Sequence, residues 1–104
     1  MRILLADDSK AVALPVIASL EQQGHQVIYV QDGRAAVEAY QAETPDLVLM
    51  DVVMPIMDGI EATRRIKALG GVRWVPLLIM TSLSSKEEII AGLDAGAEIG
   101  RAHV

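Results

Sequence analysis

At 104 residues the chain has the length of one ordinary domain and no room for a second unit with its own core. Nine Lys and Arg against fourteen Asp and Glu give a formal net charge of -5, which argues against a phosphate-neutralising nucleic-acid surface and against attraction to an anionic membrane. The absence of cysteine removes disulfides, thiolate zinc sites and thiol nucleophiles together, and fits a reducing compartment, by default the cytoplasm.

The apolar run from Ile3 to Ala6, between Arg2 and the acids Asp7 and Asp8, is too short for a signal peptide and predicts a buried strand. Ser9 offers a helix cap before Ala11 to Gln23, where Leu14, Ile17 and Leu20 recur at helical spacing until Gly24 closes the helix. Pro15 inside this pattern either kinks the helix or delays its start. His25 and His103 have no partner at metal-ligand spacing and read as surface residues. Val27 to Val30 is a β-branched run turned by Asp32 and Gly33, and Arg34 to Glu43 is an Ala-rich helix carrying Val37 and Tyr40 before Thr44 and Pro45 end it. Leu47 to Met50, stopped by Asp51, and Leu77 to Met80, stopped by Thr81 and Ser82, are continuous apolar runs with no period-two alternation. Such strands need apolar cover on both faces, which a parallel sheet between helices supplies. The intervening helices are Ile60 to Leu69, with Ile60, Thr63, Ile66 and Lys67 in register, and Lys86 to Ala95, with Ile89, Ile90 and Leu93 inward. With Phe absent, the core must be packed from Leu, Ile, Val, Met and Ala, and Met54, Met57 and Met80 read as packing residues.

Right-handed parallel crossovers put the carboxyl ends of all strands on one edge, so Asp7, Asp8, Asp51 and Thr81 gather there. Three carboxylates in one place resist joint ionisation unless a cation joins them, and a hard oxygen-seeking ion such as magnesium suits a site with few protein ligands. A carboxylate beside that ion can attack phosphorus, while backbone carbonyls in the loop after Asp51 turn to the metal and the Thr81 hydroxyl meets a phosphoryl oxygen. Taken alone, an acidic pair before a helix is more simply a cap or a favourable partner of the helix dipole.

In this order Asp7-Asp8-Ser9, Asp51, Met54-Pro55-Ile56-Met57-Asp58-Gly59 and Thr81-Ser82 resemble the motifs of a response-regulator receiver domain, from about Met1 to Glu98. The resemblance implies a three-layer, flavodoxin-like α/β fold with a parallel sheet in the order 2-1-3-4 and helices on both faces. It implies Asp51 as phosphoacceptor, Asp7, Asp8, Asp51 and the Val53 backbone carbonyl as magnesium ligands, and Thr81 as the switch hydroxyl. It also implies a partner, a sensor histidine kinase or phosphotransfer protein, that donates the phosphoryl group. Asp58-Gly59 resembles the family's turn into its third helix.

Two departures accompany the resemblance. The family continues with a fifth strand ending in Lys-Pro and a fifth helix, and Ile99 to Val104 is not a version of either. Lys86, opening a helix, stands in the wrong place to replace that lysine. Those six residues match one reading frame of a widely used sequencing adapter, so the expectation is a receiver domain over 1–98 and a non-native tail over 99–104. A chain of this kind is expected to be switch-defective and to self-associate through the strand edge left at Leu77 to Met80. Two other functions compete. A magnesium phosphohydrolase would carry a second Asp two residues after its nucleophile, where this chain has Val53. A phosphorylation-independent binding module would be favoured by loss of Asp51 or of the acidic pair, and all three are present.

Overall fold

The computed structural model describes residues 1–69 and 75–80. Seven elements follow in order: β1 (Arg2–Ala6), α1 (Lys10–Gln22), β2 (Gln26–Val30), α2 (Gly33–Glu43), β3 (Leu47–Asp51), α3 (Gly59–Ala68) and β4 (Leu77–Met80). The strands form one sheet in the order β2-β1-β3-β4, every pairing parallel, with Leu5 opposite Tyr29 on one side and Leu49 on the other. Thr81, Ser82, Lys86, the predicted helix from Lys86 to Ala95 and the tail 99–104 lie outside the described residues.

Two apolar layers hold the sheet. Ile3, Leu5, Leu47, Leu49 and Met80 face Ala13, Val16 and Leu20 of α1. Leu4, Ala6, Val48, Met50 and Leu77 face Ala36 of α2 and Ala62 and Ile66 of α3. Consecutive residues of one strand therefore serve opposite cores, which is why β1 and β3 read as unbroken apolar runs. Met54 and Met80 are buried and Met57 packs against the second core, as packing residues should.

Side-chain caps set where the helices start. Ser9 Oγ accepts the Val12 amide at 3.4 Å, Asp32 Oδ1 the Ala35 amide at 2.7 Å and Asp58 Oδ1 the Glu61 amide at 2.8 Å. Because α1 starts at Lys10, directly after Ser9, Pro15 does not delay it and lies within the helix. Gly24, at φ 92°, ends the segment in a conformation that suits glycine.

Three sequence expectations need correction. Leu14 does not face the core: it is 58% exposed, and Ala13, Val16 and Leu20 make the buried stripe while Ile17 flanks it. Lys67 is likewise exposed, the inner face of α3 being Gly59, Ala62, Thr63 and Ile66. His25 is not a bare surface residue, for it is half-buried and its Nδ1 accepts the Met1 ammonium at 3.1 Å.

Candidate functional site

β1 and β3 are adjacent and parallel, so their carboxyl ends deliver Asp7, Asp8 and Asp51 to the same edge of the sheet. One carboxylate oxygen from each lies within 4.8 Å of the others, with Asp7 buried, Asp8 exposed and Asp51 between these extremes. Three carboxylates this close form a hard, anionic donor set open to solvent on one side, and it fits a divalent ion of the magnesium type that retains water. The spacing expected from sequence is therefore realised for all three.

Asp7 is fixed from several directions. Its amide donates to the Val30 carbonyl at 3.1 Å, its Oδ1 accepts the Ser9 amide at 2.9 Å and its carbonyl accepts the Tyr29 hydroxyl at 2.8 Å. Burial pushes the Tyr29 hydroxyl above its ordinary pKa, and the charges of Asp7 and Asp8 act in the same direction against a hydrogen bond from Gln31. The phenol thus keeps its proton and remains a donor. Tyr29 was not marked by sequence reasoning, which sees an aromatic residue in a β-run and has no sign of a contact to a carbonyl 22 positions away.

Asp51 closes β3 and opens the loop 52–58. Its Oδ1 accepts the Val52 amide at 2.8 Å, and the Val52 carbonyl accepts the Gly59 amide at 2.8 Å. Val53 lies just beyond this double restraint and is 76% exposed, and because its side chain carries no ligand atom, a metal ligand at this position would have to be the main-chain carbonyl. Farther along, the Met57 amide donates to the Pro55 carbonyl at 2.7 Å across Ile56, whose φ of 69° is unusual for a β-branched residue.

Two glycines let the backbone around this loop come close. A Cβ on Gly59 would stand 1.9 Å from the Asp51 carbonyl oxygen, and one on Gly33 would stand 2.1 Å from the Met57 carbonyl oxygen. The Gly33 amide donates to that same Met57 carbonyl at 2.9 Å, so the start of α2 anchors the far end of the loop. Sequence reasoning placed Gly33 and Gly59 in turns, and the structure makes both of them first residues of helices pressed against the site.

Comparison with known proteins gives one consistent outcome. The family model "Response regulator receiver domain" matches residues 3–99. The response regulator MprA of Mycolicibacterium vanbaalenii is 41% identical over 98 residues, covering 94% of this chain and 42% of that protein. The gliding motility regulatory protein of Myxococcus xanthus is 42% identical over 98 residues, with 94% and 13% covered. This chain therefore spans less than half the length of these relatives. Among solved structures, the N-terminal domain of a response regulator receiver protein from Methanoculleus marisnigri superposes with a TM-score of 0.72 at 35% identity, covering 84% of this chain and 74% of that one. The beryllofluoride-activated N-terminal receiver domain of RstA from Klebsiella pneumoniae gives 0.72 at 30% identity, with 93% and 80% covered.

Proposed function

The chain belongs to the response-regulator receiver family of two-component signalling, and from that premise we propose that it takes a phosphoryl group on Asp51 from a sensor histidine kinase or phosphotransfer protein. The observation that carries the proposal is the convergence of Asp7, Asp8 and Asp51 within 4.8 Å at the carboxyl edge of the sheet. Asp7 and Asp8, with Asp51 and the Val53 carbonyl, would hold magnesium. Bound there, magnesium supplies positive charge that offsets the charge on the transferring group.

Asp51 acts as nucleophile through a carboxylate oxygen. A new bond joins this oxygen to phosphorus as the phosphorus–nitrogen bond of the donor histidine breaks, and the histidine nitrogen keeps the electron pair. The product is an aspartyl phosphate. The hydrogen bond from the Val52 amide to Asp51 Oδ1 orients the carboxylate for attack and lowers the entropy lost at that moment. The buried Asp7, tied to Ser9 and Tyr29, is a fixed ligand, whereas the exposed Asp8 can adjust to the incoming ion. Thr81 would offer its hydroxyl to the phosphoryl oxygens and so pass the event to the fourth helix.

On this reading the protein is a signalling module and not a turnover enzyme, and its seat is the cytoplasm. No helix among the described residues is long and apolar enough to cross a membrane. Among the described residues β4 is one of the two outer strands of the sheet, β2 being the other, and it is the edge on which a second copy would pair, detectable as a dimer in sedimentation.

The test is phosphorylation by a small acyl phosphate followed by intact-mass measurement. The wild-type protein should gain one phosphoryl group in the presence of magnesium and none with a chelator, and Asp51→Asn should gain none. Labelling of Asp51→Asn equal to wild type would refute the assignment of Asp51, and a wild type that gains no phosphoryl group with magnesium present would leave a phosphorylation-independent binding module as the better reading.

A further inference from the structure

We propose that Tyr29 is a positioning residue for the metal site, acting through the peptide that links Asp7 to Asp8. The inference rests on the magnesium reading above and adds to it a residue outside the acidic motif. The parallel ladder between β1 and β2 ends at Ala6 opposite Val30, and one further bond, from the Asp7 amide to the Val30 carbonyl, carries it into the site. The Asp7 carbonyl belongs to the Asp7–Asp8 peptide plane, and this oxygen accepts the Tyr29 hydroxyl at 2.8 Å. Among the described residues no hydrogen bond holds Asp8 itself. The direction in which Asp8 leaves the strand is thus set by a peptide whose carbonyl is tethered to β2.

Tyrosine has the length for this role. Tyr29 pairs with Leu5 in register, two residues before Asp7, and is partly buried against the α1 core. From there the phenol reaches past the end of the ladder to the carbonyl. A valine or leucine would fill the same core edge and leave the carbonyl without this donor. Groups that orient metal ligands from behind commonly affect affinity as strongly as one weak ligand does.

The test is magnesium titration of the whole protein, followed by the amide resonances of Asp8 and Ser9, with thermal unfolding measured in chelator. Tyr29→Phe keeps the ring and removes the hydroxyl alone. It should weaken magnesium binding roughly tenfold while the metal-free unfolding temperature stays close to wild type, a split that a merely structural role would not give. Equal affinity in Tyr29→Phe and wild type overturns the proposal. Failure of the wild type to bind magnesium, with Asp8→Asn indistinguishable from it, would instead overturn the metal site on which the proposal rests. Should Tyr29→Phe fail to fold, 3-fluorotyrosine at position 29 carries the test in its place, since it preserves the shape and strengthens the donor. Below neutral pH it should tighten magnesium binding, and unchanged affinity there counts against the tether.

Discussion

His25 shows how a single residue departs from what its sequence neighbourhood suggests. Its imidazole lies against the Met1 ammonium, and burial first, then that positive charge, lower its pKa below the ordinary 6.5. The unfolded chain therefore binds the proton more readily than the folded one. Stability linked to His25 is fully present above the unfolded value of about 6.5 and is lost as pH falls through the lowered folded value. His25→Gln removes the titrating group. The drop in unfolding temperature between about pH 7 and about pH 5 should be smaller in the variant than in wild type, and an identical drop in both would show that His25 does not contribute. The carboxylates of the site were legible as residues because strand ends in a parallel sheet share an edge. Tyr29 and His25 were not, since each depends on a contact between segments that no local pattern encodes.

At the scale of elements, helix periodicity located the three described helices, but it turned α1 towards Leu14 and added the exposed Lys67 to the inner face of α3. In α1 both Ala13-Val16-Leu20 and Leu14-Ile17-Leu20 read as helical stripes, and hydrophobicity alone favours the second. The helix turns the smaller residues inward, so that Ala13 and Val16 let it approach Leu5 and Leu49. α3 begins in a similarly tight setting, with Asp58 capping its first turn and Gly59 against Asp51. These two neighbours make separable contributions. Asp58→Ala loses one cap, at a cost of about 1 kcal/mol. Gly59→Ala forces a backbone shift at the end of β3, at a cost of about 1 to 3 kcal/mol, and moves Asp51 with it. Urea unfolding should rank Gly59→Ala below Asp58→Ala, and only Gly59→Ala should also slow phosphorylation. A Gly59→Ala protein as stable and as reactive as wild type would show that the close approach is not needed.

Over the whole molecule, the alternation of β1 and β3 residues between two cores fixes the sheet, and the sheet fixes the site. Asp7 directly follows the apolar strand β1 and Asp51 is the last residue of β3, so each is carried to the edge by its strand. That is why fold and site were readable together from apolar runs and their acidic ends. The loop 52–58 was readable only in part: its motif was evident, whereas the γ-like turn at Ile56 and the anchoring of Met57 by Gly33 arise from backbone contacts that side-chain chemistry does not announce.

The central claim, that the three carboxylates form one magnesium-dependent phosphoryl site on Asp51, is tested most directly by titrating beryllofluoride, a mimic of the phosphoryl group, and following the amide resonances of residues 51 to 59. The wild-type protein should respond with magnesium present and not in chelator, Asp51→Asn should not respond at all, and Asp8→Asn should need far more magnesium. An equal response without magnesium, or in Asp51→Asn, would contradict it.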